Sequence, residues 1–296
     1  MLLFSVLSLQ AQTATTYDEF RTQQKAFQSE DGTIRYIDKG SGPVILLLHG
    51  IPTSGWLYRK MIDPIVEKGY RVIAPDMLGF GSSDSPKGYE LYSPEQHAKR
   101  LTALMAHLNI NSWTHVQHDA GGLWTWETFI KAPGKIEKLV ILNSIIYEEG
   151  FQPPIRMRRG VFAKISMWMY KNGITTKMLL KQLFKVGLKE NNLTDNEIEG
   201  YKRPLREGKT KGMYYFFSNT CQELPDYSPV LKEKIDIPVV VIWGKHDEML
   251  QWTPQADRVQ ADLNIADSDV HIIDAKHFIQ EEMPLEIVDL IYGFVQ

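Results

Sequence analysis

The chain has 296 residues, 43% of them hydrophobic and 23% charged, a globular composition with enough length for a large buried core. A net charge of −3 argues against nucleic acid or an anionic membrane as partner, since a net negative molecule is not drawn to either. Cys221 is the only cysteine, which excludes an intrachain disulfide, and no Cys/His cluster suggests a metal.

Residues 1–15 open with the apolar run MLLFSVLSLQAQ, too short to span a bilayer as a helix. It reads as the hydrophobic part of a secretory signal cleaved near Ala11, although no Lys or Arg precedes it. That reading predicts a periplasmic or secreted protein; the other, a frayed N-terminal arm, leaves it in the cytoplasm. Beyond this run, short apolar segments alternate with amphipathic ones, the pattern of a mostly parallel sheet flanked by helices. A hairpin-like segment around IRYIDKGSG comes first, and VILLLHG, RVIAPD, WTHVQHD, KLVILNS, PVVVIWG and DVHIID follow as buried strands. Ser93-Pro94 with Gln96 reads as a capping box with proline in the first turn, and Thr253-Pro254 is expected to open another helix in the same way. Between Glu148 and Tyr227 the pattern turns helical, with VFAKISMWMYKN, TKMLLKQLFKVGL and a capped start at Thr194 with Glu197. The expected organisation is an α/β core from residues 16–147 and 228–296, with a helical lid of residues 148–227 inserted over the strands' C-terminal ends. The lid's basic run, Arg156, Arg158 and Arg159, reads as a solvated face.

The chemistry concentrates in Val116-Gln117-His118-Asp119-Ala120-Gly121-Gly122. A strand runs into an acidic residue, followed at once by small residues and a helix-like run. This is a nucleophile elbow with Asp119 where serine is more familiar. The competing Gly79-Phe80-Gly81-Ser82-Ser83 lacks the strand-elbow-helix context. A carboxylate nucleophile attacks an sp³ carbon and leaves an alkyl ester, which water then hydrolyses at its carbonyl. The second step needs an oxyanion hole, and the backbone N–H groups of Ile51, in His49-Gly50-Ile51-Pro52, and of Ala120 are its candidates. His277 is the candidate general base and Asp247 the carboxylate that orients it. The order nucleophile, acid, histidine is the one such an elbow requires. His49 and His271 read as structural, and His118 is expected to point away from the site by strand alternation.

These segments resemble the haloalkane dehalogenase and epoxide hydrolase branch of the α/β-hydrolases, from about Gly32 to the C-terminus. HGIPTSGWLYRKMI, RVIAPDMLGFGSSD, VQHDAGG and, in the lid, LTDNEIEGYKRPL carry the likeness. The resemblance implies an α/β-hydrolase fold, a cofactor-free reaction and a small, mostly apolar substrate. Asn143 stands where some dehalogenases carry their catalytic glutamate, which assigns the acid to Asp247. Dehalogenases usually place tryptophan after the nucleophile and Asn or Glu in the HG-x-P loop to hold the halide; here these positions are Ala120 and Ile51. Trp124, Trp126 and Trp168 are expected to pack in helical cores. Epoxide hydrolases of the branch use lid tyrosines as proton donors, and Tyr170, Tyr201, Tyr214 and Tyr215 are available, with Tyr214 and Tyr215 nearest the family's second position. Leaving-group chemistry therefore favours epoxide opening over haloalkane hydrolysis. A ligand-binding protein without catalysis is the reading from a different class, and it leaves the set Asp119, Asp247 and His277 without a purpose.

Overall fold

The structure, a computed structural model, describes residues 15–153 and 155–296; the signal-like run lies almost wholly outside them. Eight strands form one sheet in the order β1-β2-β4-β3-β5-β6-β7-β8. They are β1 (Lys25–Ser29), β2 (Gly32–Lys39), β3 (Val44–Leu48), β4 (Arg71–Asp76), β5 (Trp113–Asp119), β6 (Ile136–Ser144), β7 (Val239–Gly244) and β8 (Val270–Ile273). The first two pair antiparallel, β2 meets β4 antiparallel, and the rest are parallel. The sheet is thus mostly parallel, as the alternation of apolar runs predicts.

All six predicted strands form, with two differences. The hairpin turns at Glu30 and Asp31, so IRYIDK lies in its second strand and GSG leads into β3. The DVHIID strand is the sheet's edge: it leaves Ile272 45% exposed, because only one side has a neighbour to cover it. By contrast every residue of β7 is buried, as a continuous β-branched run between two strands requires.

The flanking helices used below are α1 (Tyr17–Gln23), α2 (Arg59–Glu67), α3 (Pro94–His107), α4 (Gly121–Lys131), α5 (Val161–Met169), α6 (Gly173–Gly187), α7 (Asp195–Arg206), α8 (Lys211–Tyr215), α9 (Ser228–Lys234), α10 (Ala256–Leu263), α11 (Ile279–Glu282) and α12 (Pro284–Val295). Ser93 caps α3 by accepting from the Gln96 N–H, and Thr194 with Glu197 forms a full capping box on α7. Thr253-Pro254 does not cap a helix. These residues lie in the turn before α10, whose N-cap is Gln255 with no side-chain cap bond.

From the end of β6 to the start of β7 the described chain is helical, and an isolated bridge between Phe151 and Leu250 is the strand-like pairing seen there. The segment is tied to the sheet-bearing part by a buried ion network. Arg59, at the start of α2, pairs with Glu197 of α7 (2.9 Å) and with both oxygens of Glu281 of α11, and Tyr201 of α7 donates to Glu281. The main core fills both faces of the sheet and includes Leu46, Val116, Val140 and Val241.

Candidate active site

The C-terminal ends of β3, β5, β6, β7 and β8 deliver the predicted residues to one place. Asp119 ends β5 with φ of +51°, a left-handed conformation costly for a residue with a side chain. The strain is held by its carbonyl, which accepts from the Ile145 N–H (3.1 Å) and the Ser144 hydroxyl (3.0 Å). Small neighbours are obligatory at this bend. A Cβ on Gly50 would come within 2.3 Å of the Asp119 side chain, and one on Gly122 within 2.4 Å of Ser144 Oγ.

The Ile51 N–H donates to Asp119 Oδ1 at 2.6 Å, and the Ala120 N–H adds a favourable influence on the same carboxylate. His277 Nε2 faces Asp119 Oδ2 at 3.7 Å, too far for a direct bond. Its Nδ1 donates to Asp247 Oδ2 at 2.8 Å, and Asp247 Oδ1 accepts the N–H groups of Met249 (2.9 Å) and Leu250 (3.0 Å). Asn143 completes the carboxylate's shell: its Nδ2 donates to Asp247 Oδ2 (2.6 Å) and its Oδ1 accepts the Gly244 N–H (2.9 Å).

The electrostatics follow from burial and these bonds. Burial raises the Asp119 carboxyl above its ordinary range, opposed by His277 and by the N–H groups of Ile51 and Ala120. Burial disfavours the charged form of His277 as well, but Asp247 beside Nδ1, with Asp119 beyond Nε2, outweighs it and raises the group. His49 is different. Burial pulls it down to about 4, and its nitrogens meet backbone only, Nε2 accepting the Met77 N–H and Nδ1 donating to Gly50 O. His118 turns to the His277 carbonyl (3.0 Å), away from the cavity, as alternation predicts. Ser83, from the competing Gly-rich loop, is spent on the Asp76 carbonyl and the Arg35 N–H.

Above Asp119 and His277 lies an apolar cavity of about 250 Å³. Ile51 and Pro52 line its floor, Leu179, Leu183 and Val186 of α6 one wall, and Met213, Phe216 and Phe217 another. Tyr170 and Gln182 are the other polar side chains on its lining among the described residues. This corrects the expectation for Tyr214 and Tyr215. Positions 213, 216 and 217 share one face of α8 and the π turn that follows, so the two tyrosines face the opposite way and stack against Tyr89. Tyr201 is committed to Glu281. Among the described residues no tryptophan lines the cavity; Trp124 and Trp126 are core residues as expected, while Trp168 is 67% exposed.

The wall from α6 was not foreseen. The signal was present: Leu179, Gln182, Leu183 and Val186 fall at helical spacing beside a second apolar face, Leu180 and Phe184, which is buried. Among the described residues no His, Cys, Asp and Glu group has the arrangement of a metal site.

Comparison with known proteins agrees with this architecture. Residues 43–173 match the α/β hydrolase fold family. A haloalkane dehalogenase of Mycolicibacterium paratuberculosis is 39% identical over 127 residues, 42% of this chain and 40% of that protein. Epoxide hydrolase 3 of Xenopus tropicalis is 25% identical across 93% of this chain and 78% of its own length. In three dimensions, an epoxide hydrolase of Vigna radiata superposes with a TM-score of 0.73 at 19% identity, covering 92% of this chain and 97% of that one, a likeness of fold. The fold is the α/β-hydrolase fold, and in sequence the chain is similar to haloalkane dehalogenases and epoxide hydrolases over the shares given.

Proposed function

We propose that the protein hydrolyses a small apolar electrophile through an alkyl ester on Asp119, and that the substrate is an epoxide. One observation carries the reading: a carboxylate on a strained elbow, with one oxygen on the Ile51 N–H, faces an unbonded histidine nitrogen at the floor of an apolar cavity. Asp119 attacks a ring carbon, the C–O bond opens, and the oxygen takes a proton from a donor on the lid, which we place at residues 148–227. In the second step a water takes up the free Nε2 of His277. It gives its proton to His277 and attacks the ester carbonyl, whose oxyanion the Ile51 and Ala120 N–H groups stabilise. Asp247 holds the histidine tautomer that leaves Nε2 free.

The proton donor in this reading is Tyr170, whose phenol burial keeps neutral, in place of Tyr214 and Tyr215. An alkoxide needs that proton and a halide does not, which is why a cavity with a phenol and without indole N–H groups favours the epoxide. The haloalkane reading retains one specific support, the Gln182 amide at the cavity rim, whose N–H groups can hold an anion. The cavity is below the roughly 300–1,000 Å³ usual for small-molecule sites, which points to a compact substrate.

The variant His277→Gln separates the two chemistries. It is expected to form the ester and fail to hydrolyse it, so intact-protein mass spectrometry finds an adduct on the peptide holding Asp119. An epoxide adds its whole mass, a haloalkane only its alkyl part. A folded variant given a substrate of the wild type, with no adduct on Asp119, overturns the mechanism; an alkyl-only adduct overturns the choice of substrate.

A further inference from the structure

We propose that the outward face of α5 and of the following α6 docks on an anionic lipid surface. The amphipathicity of α5 runs opposite to that of a helix facing water. Ala163 and Met167 point inward, while Val161 (73% exposed), Phe162 (83%), Ile165 (50%) and Trp168 (67%) point out. On α6, Ile174 (74%) and Met178 (66%) extend the apolar exposure. So many large apolar side chains on two consecutive helices exceed the scattered exposure normal for a soluble surface and mark a contact face.

Charge identifies the occupant. Residues 150–189 hold nine Lys and Arg and no Asp or Glu, whereas the rest of the chain holds 24 against 36. The net charge of −3 therefore hides a strongly cationic segment on an anionic body, and the expectation drawn from the total does not hold for this face. Lys164, Lys171, Lys177, Lys181 and Lys185 are exposed among the apolar residues. Beside Trp168, Lys164 and Lys171 join Lys87, Arg159 and Lys211 around a cleft of about 460 Å³. Arg159 pairs with the exposed Glu90 at 3.8 Å, and like charge from Lys171, Lys209 and Lys87 adds to burial in pulling the Lys211 amine down. Cations in excess over carboxylates, next to exposed aromatic and aliphatic groups, suit the phosphates and acyl boundary of an anionic leaflet. A second copy suits them poorly, because apposing two such faces brings cations against cations. The face also adjoins the Asp119 cavity: Gln182, one helical turn beyond Met178, is both exposed and part of the cavity wall. Delivery of a bilayer-dissolved substrate rests on the proposed chemistry; the docking itself does not.

The test is co-sedimentation of the full-length protein with vesicles of phosphatidylcholine alone and with phosphatidylglycerol added. Binding is expected to require phosphatidylglycerol and to weaken as salt rises. Lys164→Gln with Lys171→Gln should weaken it about 25-fold, at about fivefold per cation. Phe162→Ser with Trp168→Ser should weaken it at least tenfold without altering circular dichroism, since both side chains are exposed. No vesicle binding, binding indifferent to phosphatidylglycerol, or binding unchanged in both variants overturns the proposal. A dimer that Trp168→Ser abolishes, in the absence of vesicle binding, also overturns it by giving the face to a second copy.

Discussion

At the scale of single residues, the proposed mechanism asks opposite things of two raised groups. Asp119 must be ionised to attack, and His277 must be neutral to accept the proton of water. Both are lost as pH falls. The histidine's ordinary value, about 6.5, lies above the carboxyl's, about 3.9, and the mechanism needs that order kept with both groups raised. Esterification removes the Asp119 charge, so in the second step Asp247 is what holds His277 up. Rapid-quench experiments across this range are expected to show ester formation persisting at a pH where ester hydrolysis has slowed tenfold or more. If both steps fall off with one apparent pKa, the division of labour between the two residues is wrong. Much of this was legible in the sequence, because an elbow is a local pattern of strand, acid and small residues, and His277 and Asp247 follow strands that can be read. The tyrosines were not. Choosing Tyr170 over Tyr214 and Tyr215 depends on which way a short helix and its π turn face, and that is decided by packing against Tyr89 on another segment.

Among elements, the joint between the inserted helices and the sheet-bearing part is the Arg59 network. Its side chains are nearly inaccessible, 5% for Arg59 and 1% for Glu281, so the ions are desolvated and depend on one another. Arg59→Leu leaves Lys60 as the remaining cation beside Glu281 and Glu197 and is expected to cost about 3–5 kcal/mol of stability. The half-exposed pair of Lys202 and Glu199 offers the contrast, where Lys202→Met should cost about 0–1 kcal/mol. Chemical denaturation of the two variants checks the ranking; equal losses would mean that the buried network is not what fastens α7 to the rest. The sequence announced α7 through its capping box, a local signal, but gave no sign that Arg59, Glu197 and Glu281 meet, since they lie far apart along the chain. The edge character of β8 was hidden for a related reason: its apolar alternation matches that of a covered strand, and only sheet order tells them apart.

For the whole molecule, the mostly parallel sense and the gathering of strand ends follow from the alternation of apolar runs and helices, which is why the fold class could be read early. The distribution of charge could have been read as well, yet a single net value concealed it, and the exposed apolar arc of α5 needed the structure to separate outside from inside. What the architecture is for turns on one claim, that Asp119 becomes covalently bound. A single turnover with excess enzyme in ¹⁸O-labelled water tests it most directly. Attack by Asp119 puts an oxygen of its own carboxylate into the product, and the label enters the Asp119 side chain when the ester is hydrolysed. The account therefore predicts unlabelled product from the first turnover and ¹⁸O on the peptide containing Asp119. A labelled first product with an unlabelled Asp119 would mean that water attacks the substrate directly, and would contradict it.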